Sequence, residues 1–169
     1  MIVFWLAVLL VACTKKKDPE PSLPPETQEG KNTFGCMLNG KLWRNTADQP
    51  GFPALYAQVQ GGGWVDIYAW YRNGTDKTEY IAFICDSLHQ EGIYNLKKFI
   101  QKASASYVHV QSNIDLSTAS TNLVQNEGVL TITKYDKVRK IIAGRFWFKM
   151  QKQGGILYDV SDGRFDISY

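Results

Sequence analysis

Histidine is scarce in this chain of 169 residues, with two, and cysteine is limited to three. Histidine is the side chain that most readily moves protons near neutral pH, so its scarcity narrows the chemistry on offer. His89 lies in a polar turn from Asp86 to Glu91, and His109 alternates within an extended run. No Gly-x-Ser-x-Gly elbow and no His-Glu-x-x-His pair occurs, so neither motif signals a hydrolase. Neither Cys36 nor Cys85 has a second ligand at metal spacing. Asp159-Val160-Ser161-Asp162-Gly163-Arg164-Phe165-Asp166 gathers three carboxylates around a glycine, but calcium loops want alternating oxygen ligands and a closing Glu. A turn between two strands, with Gly163 supplying positive φ, explains that stretch better. No enzyme, no metal and no cofactor is therefore expected.

Other absences bound the class. The net charge of +3 is scattered, and a nucleic-acid binder would show a basic stripe. The one long apolar run, Met1 to Ala12, falls short of the roughly 20 residues a membrane span needs. No segment holds a sustained 3.6-residue period, and no internal repeat stands out. What remains is a chain with 13% aromatic residues and regular Gly and Pro punctuation, which favours an all-β domain.

The apolar run ends in Leu10-Val11-Ala12-Cys13, which resembles the lipobox of bacterial lipoproteins. The resemblance implies cleavage before Cys13, lipidation of its thiol and a membrane-anchored product. No Lys or Arg lies between Met1 and Leu10, where export signals carry a basic patch that an upstream start would supply. Residues 1–12 are thus read as a signal peptide and 13–32 as an acylated Cys with a linker rich in Pro and charge. Lys15, Lys16, Lys17 and Lys31 balance Asp18, Glu20, Glu26 and Glu29 in that linker, so the positive excess lies from Thr33 onward. Pro19, Pro21, Pro24 and Pro25 favour an extended chain, and nineteen such residues reach up to ~60 Å. Lys17-Asp18-Pro19-Glu20 resembles the charged export signal of surface-exposed Bacteroidetes lipoproteins, and Thr14 after the Cys is compatible with delivery to the outer membrane.

Residues 33–169 read as one domain. Asn39-Gly40 between two apolar-rich runs predicts a type I′ hairpin pairing Leu38 with Lys41, Met37 with Leu42 and Cys36 with Trp43. Strand patterns follow over Ala54–Gln60, Trp64–Arg72, Glu79–Cys85, Gly92–Leu96, Ser106–Gln111, Gly128–Lys134, Ile141–Met150, Ile156–Val160 and Arg164–Tyr169. Lys97–Lys102 is the one candidate helical turn, and Ser112–Asn126 reads as a loop around a weak strand. About ten strands joined mostly by tight turns predict an antiparallel β-sandwich, with a closed lipocalin-like β-barrel as the alternative. Cys36 and Cys85 both alternate with apolar residues. Both fit the core as free thiols, and a disulfide between them is the second option, open to an exported protein.

Asn32-Thr33-Phe34-Gly35-Cys36 with Asn39-Gly40-Lys41, then Leu130-Thr131-Ile132-Thr133-Lys134, Gly144-Arg145-Phe146-Trp147-Phe148 and Asp162-Gly163-Arg164-Phe165-Asp166-Ile167, resemble an uncharacterised family of Bacteroidetes lipoproteins. The likeness runs from Asn32 to Tyr169 and implies a β-rich fold and an envelope address. It carries over no activity and no catalytic residue. Asp86-Ser87-Leu88 resembles the short O-glycosylation pattern of the same bacteria.

The sharpest functional signal is aromatic alternation. Trp64, Asp66, Tyr68, Trp70 and Arg72 take the even positions of one strand, while Val65, Ile67, Ala69 and Tyr71 take the odd ones. Alternate residues point to opposite faces, so the aliphatic row is core and the aromatic row faces outward. Ile142, Phe146, Phe148 and Met150 likewise oppose Arg145, Trp147 and Lys149, and Tyr107, His109 and Gln111 oppose Val108 and Val110. Burial of these rings under a loop or second sheet is the ordinary outcome for aromatics. The functional expectation is one exposed face carrying Trp64, Tyr68, Trp70 and Trp147, on which a sugar or another flat ligand stacks. Asp66, His109 or Arg145 would supply hydrogen bonds, and Tyr107 is a further ligand-binding candidate. The alternatives are a structural or assembly subunit docking on an envelope protein through that face and, for a closed barrel, a carrier of an apolar ligand.

Overall fold

The computed structural model of the chain describes residues 21–46, 51, 53–73, 77–96, 103–111, 115–120, 128–152 and 157–169. Cys13 with its apolar leader, and the candidate helical turn Lys97–Lys102, lie outside the described residues. Those residues form eleven strands and no α-helix: β1 (Thr33–Leu38), β2 (Lys41–Arg44), β3 (Leu55–Val59), β4 (Val65–Asn73), β5 (Lys77–Cys85), β6 (Gly92–Asn95), β7 (Ala103–Gln111), β8 (Asp115–Ser120), β9 (Gly128–Asp136), β10 (Ile141–Lys152) and β11 (Leu157–Ser168).

The strands pack as a two-layered antiparallel sandwich. One layer runs β2-β1-β11-β10-β9-β6 and the other β3-β4-β5-β7-β8. Strand β10 joins them: Ile141–Phe148 pair with β9, while Gln151 and Lys152 pair with Ser120 and Ala119 of β8. Among the described residues β2 and β3 end the path and do not pair with each other, so the sheet is not a closed barrel. The lipocalin-like alternative is thereby set aside, since the β4 aromatics have no enclosed interior to line.

Local chemistry accounts for much of this. The Asn39-Gly40 turn has φ +50 and +73 and sets the predicted register, Leu38 with Lys41, Met37 with Leu42 and Cys36 with Trp43. Asn39 also docks the hairpin on β11: its N–H donates to the Asp159 carbonyl and its Oδ1 accepts from the Asp159 N–H, both at 2.8 Å.

The stretch Asp159–Asp166 departs from expectation. It is no turn but the middle of the single strand β11, bulged where Trp147 faces Ser161 and Asp162. Positive φ falls on Asp162, at +52, and not on Gly163. Gly163 is required for another reason: a Cβ there would lie 2.3 Å from the Phe146 ring.

Five phenylalanines lock the layers. Phe83 of β5 meets Phe146 at 4.8 Å and Phe148 at 5.8 Å between ring centroids, and Phe34 meets Phe146 at 5.0 Å and Phe165 at 6.3 Å. Edge-on, tilted and stacked contacts of this kind add to the burial of the rings. Val65, Ile67, Ala69 and Ile81 complete the opposing layer. One carboxylate enters this core: buried Glu79 accepts a 2.9 Å hydrogen bond from Trp43 Nε1, the kind of partner a buried charge requires. Cys36 and Cys85 are buried free thiols, not a disulfide.

The described second half of the predicted linker is part of the folded body. From Ser22 to Asn32 it crosses β2, β1, β11 and β10 as a strap. Asp166, 1% exposed, anchors it by accepting from Thr27 Oγ1 at 2.6 Å and from the N–H groups of Glu29, Gly30 and Lys31 at 3.0, 2.7 and 3.1 Å. Pro24 packs against Gly35, where a Cβ would lie 2.7 Å from the proline ring.

Candidate functional site

The alternation in β4 is realised as read. Val65, Ile67 and Ala69 are buried, while Trp64, Asp66, Tyr68 and Trp70 point away from the core. Antiparallel pairing places Tyr68 opposite Tyr56 of β3 and Trp70 opposite Tyr80 of β5. The result is a stripe of rings across three strands: Tyr56 to Tyr68 at 6.4 Å, Tyr68 to Tyr80 at 6.1 Å and Tyr80 to Trp70 at 4.5 Å. The Arg72 guanidinium caps it, 5.0 Å from the Trp70 ring centroid. At the other end Trp64 Nε1 donates to Asp66 Oδ1 at 2.9 Å. Burial, then the nearby Asp66 carboxylate, raise the Tyr68 hydroxyl above its usual value, and burial raises Tyr80. Both stay protonated donors at neutral pH.

Trp147 and Arg145 do not join that stripe. They face outward from β10, which lies in the other layer, so the aromatics expected on one face are divided between opposite sides of the sandwich. Trp147 is 44% exposed and borders a groove of about 350 Å³ lined by Glu26, Val129, Thr131, Arg145, Asp162 and Arg164. A second hollow of about 270 Å³ continues it along the strap and shares Glu26, Arg145 and Arg164. Glu26 bridges the two arginines, 2.5 Å from Arg145 Nη2 and 3.9 Å from Arg164 Nη1. The groove thus holds one open indole, two guanidinium groups, two carboxylates and a threonine hydroxyl, with no excess charge.

Tyr107 and His109 do not fall in register with the stripe, contrary to expectation. The β5–β7 ladder places them opposite Ile81 and Glu79, and Val108 opposite Tyr80; their side chains lie outside the described residues. His89 sits at the end of the sandwich against Gly63. Ser87 of the glycosylation-like triplet is half-buried, with its hydroxyl donating to Asp86 Oδ1 at 3.0 Å, and Leu88 is buried. Cys36 and Cys85 are held protonated by burial; burial, then Asp86 and Asp66, push Cys85 up to about 12. Among the described residues no three His, Cys, Asp or Glu side chains gather as a metal site.

Sequence reasoning missed Tyr56, Tyr80, Glu26 and Arg164. Tyr56 and Tyr80 were legible as alternating residues of their strands but needed the register to join Tyr68 and Trp70. Glu26 carried no signal, because it belongs to a strap that lacks apolar periodicity.

Fold and groove define an antiparallel β-sandwich domain with a strapped, tryptophan-lined outer face. The chain belongs to the family described as a domain of unknown function (DUF6252), which matches residues 33–166. No curated protein and no solved structure matches it. The family match begins at β1, so the strap that supplies Glu26 precedes it.

Proposed function

We propose that this is a non-enzymatic binding domain of a Bacteroidetes-type envelope lipoprotein, anchored through Cys13 to the outer membrane, and that its ligand is a glycan held in the Trp147 groove. The carrying observation is the exposed indole beside the bridged Arg145–Glu26–Arg164 set in a concave surface. A sugar ring offers an apolar face for stacking and a rim of hydroxyls. Planar guanidinium and carboxylate groups at fixed positions match that rim as paired donors and acceptors. The address rests on the Leu10–Cys13 motif and on the likeness of the β-domain to that lipoprotein family.

A second reading draws on the stripe Tyr56-Tyr68-Tyr80-Trp70. It spans three strands, which suits docking on an envelope protein partner. The two readings answer one experiment differently. A thermal-shift screen of neutral and charged glycans is run on the parent protein, with Trp147→Ala and Trp70→Ala alongside. A ligand at a hundredfold excess over Kd adds about 2.7 kcal/mol of stability, and Trp147→Ala is expected to abolish that gain. As an outward ring, Trp147 should itself cost well under the ~3–5 kcal/mol of a core aromatic. A neutral glycan whose shift survives Trp147→Ala overturns the groove. Absence of any ligand, with an envelope protein lost on Trp70→Ala, supports the docking reading.

A further inference from the structure

A third hollow, of about 330 Å³, lies at one end of the sandwich, away from both outer faces. It is walled by the Gly61–Gly63 turn between β3 and β4 on one layer, and by Tyr135, Lys137 and Tyr169 on the other. Tyr135 and Tyr169 stack at 6.5 Å with 29° between their planes, and Lys137 Nζ sits 5.2 Å from the Tyr135 ring centroid. His89 closes the side, packed on Gly63 so closely that a Cβ there would lie 2.4 Å from its Cε1. Gly62 and Gly63 hold φ of +79 and +87, which glycine adopts without strain. The turn is therefore kept low and its ring neighbour is kept in place by the same residue.

The charge is one-sided. Lys137 is the only formally charged side chain among the described residues lining the hollow. The neighbouring Asp136 carries the nearest opposing charge, which is felt at Tyr169; its Oδ1 accepts the N–H groups of Val138 and Arg139 at 3.1 and 2.9 Å and its Oδ2 lies 3.8 Å from Lys134. Arg139 and Lys140 follow Lys137 in the same exposed turn, and with Lys134 these cations outnumber the nearby carboxylates of Asp136 and of Glu91, whose Oε1 accepts the Tyr135 N–H at 3.2 Å; the balance is positive where the Trp147 groove is neutral.

We infer that this hollow is a second binding site, for a hexose carrying one anionic group, either phosphate or carboxylate. The sugar ring lies on the tyrosine pair, the anion meets the Lys137 ammonium, and Gln60 and His89 face the hydroxyls. Stacking on aromatic faces and a charge-assisted contact are independent contributions, so each can be removed alone.

Isothermal titration of the full chain in detergent, with glucose 6-phosphate, glucuronate, glucose and inorganic phosphate as probes, tests this. Glucose 6-phosphate or glucuronate is expected to bind at least tenfold more tightly than glucose or phosphate alone. Lys137→Gln, at an exposed position of the β9–β10 turn, is expected to weaken that binding about tenfold, the scale of a lost charge-assisted hydrogen bond. Tyr135→Leu is expected to weaken the anionic sugars but leave inorganic phosphate unchanged. Trp147→Ala is expected to change nothing, which separates this site from the groove. Equal binding of phosphate and glucose 6-phosphate overturns the sugar assignment. No binding of either anionic sugar, or binding indifferent to Lys137→Gln, overturns the site.

Discussion

Single residues show two different reasons for the same amino acid. Gly40 sits at φ +73 with nothing within 4 Å of where a Cβ would be, whereas Gly163 has ordinary backbone but meets the Phe146 ring at 2.3 Å. Gly40→Ala is expected to cost on the order of 1 kcal/mol, through backbone strain alone. Gly163→Ala should cost more, about 1–3 kcal/mol, because a packed core must shift to admit a methyl group. Urea melts of the two variants check the order, and Phe146→Leu should partly rescue Gly163→Ala but not Gly40→Ala. The thiols give a second residue-scale test. Cys36 and Cys85 are fully buried and their ionisation is pushed up by burial, and the thiolate is the reactive form. In a Cys13→Ser chain neither is expected to react with a maleimide at pH 7.5 until urea unfolds the domain, when two equivalents should react by mass spectrometry. Labelling of folded protein would contradict the burial of both.

Among elements the strap carries the clearest pH dependence. Burial alone would raise the Asp166 carboxyl, but hydrogen bonds from Thr27 and from the backbone of Glu29, Lys31 and Gly30 outweigh it and hold the group below its usual value. A carboxyl depressed in the folded state contributes stability that is complete above the unfolded value of ~3.9 and is lost as pH falls through the lower folded value. Asp166→Asn is therefore expected to cost about 1.5–3 kcal/mol at pH 7, the worth of hydrogen bonds to a charged acceptor. The difference from the parent should narrow steadily below pH 4, in urea melts at pH 7, 4 and 3. A constant difference would mean that the strap is not held by the charge. This element also marks how far the sequence could be read. Strands with strict alternation, such as β4, and the turn Asn39-Gly40 announce themselves through period and through positive φ. The strap does not, because one carboxylate 135 or more residues away satisfies its backbone groups. From the sequence the bulged β11 reads as two strands and a turn, because its Asp-Gly looks like a corner. Gly163 is there to clear a ring from β10, a contact that no local pattern records.

At the scale of the molecule, the sandwich explains why the aromatic signal was half legible. Alternation tells which side of its own strand a ring takes, and it placed Trp64, Tyr68, Trp70 and Trp147 outward. Layer assignment depends on the ladder order, which sends β4 and the first part of β10 to opposite sheets, so one expected face became a stripe and a groove. The strap bears on the proposed Cys13 anchor as well. With residues from Ser22 onward held against the sheet, the chain between Cys13 and the folded body comprises residues 14–21 rather than 14–32. Eight residues span at most ~29 Å, at the ~3.6 Å per residue that covalent geometry allows. The domain would then ride close above a lipid surface, with its strapped layer tied nearest the tether. If Cys13 is the lipidated residue, Cys13→Ala should move the protein from the membrane fraction to a soluble or uncleaved pool and abolish incorporation of labelled palmitate. Acyl chains contribute ~0.8 kcal/mol per buried CH₂, and stable anchoring needs more than one signal, so losing the thioether lipid should be decisive. Fractionation with lipid labelling measures both, and membrane retention that persists without label would place the anchor elsewhere.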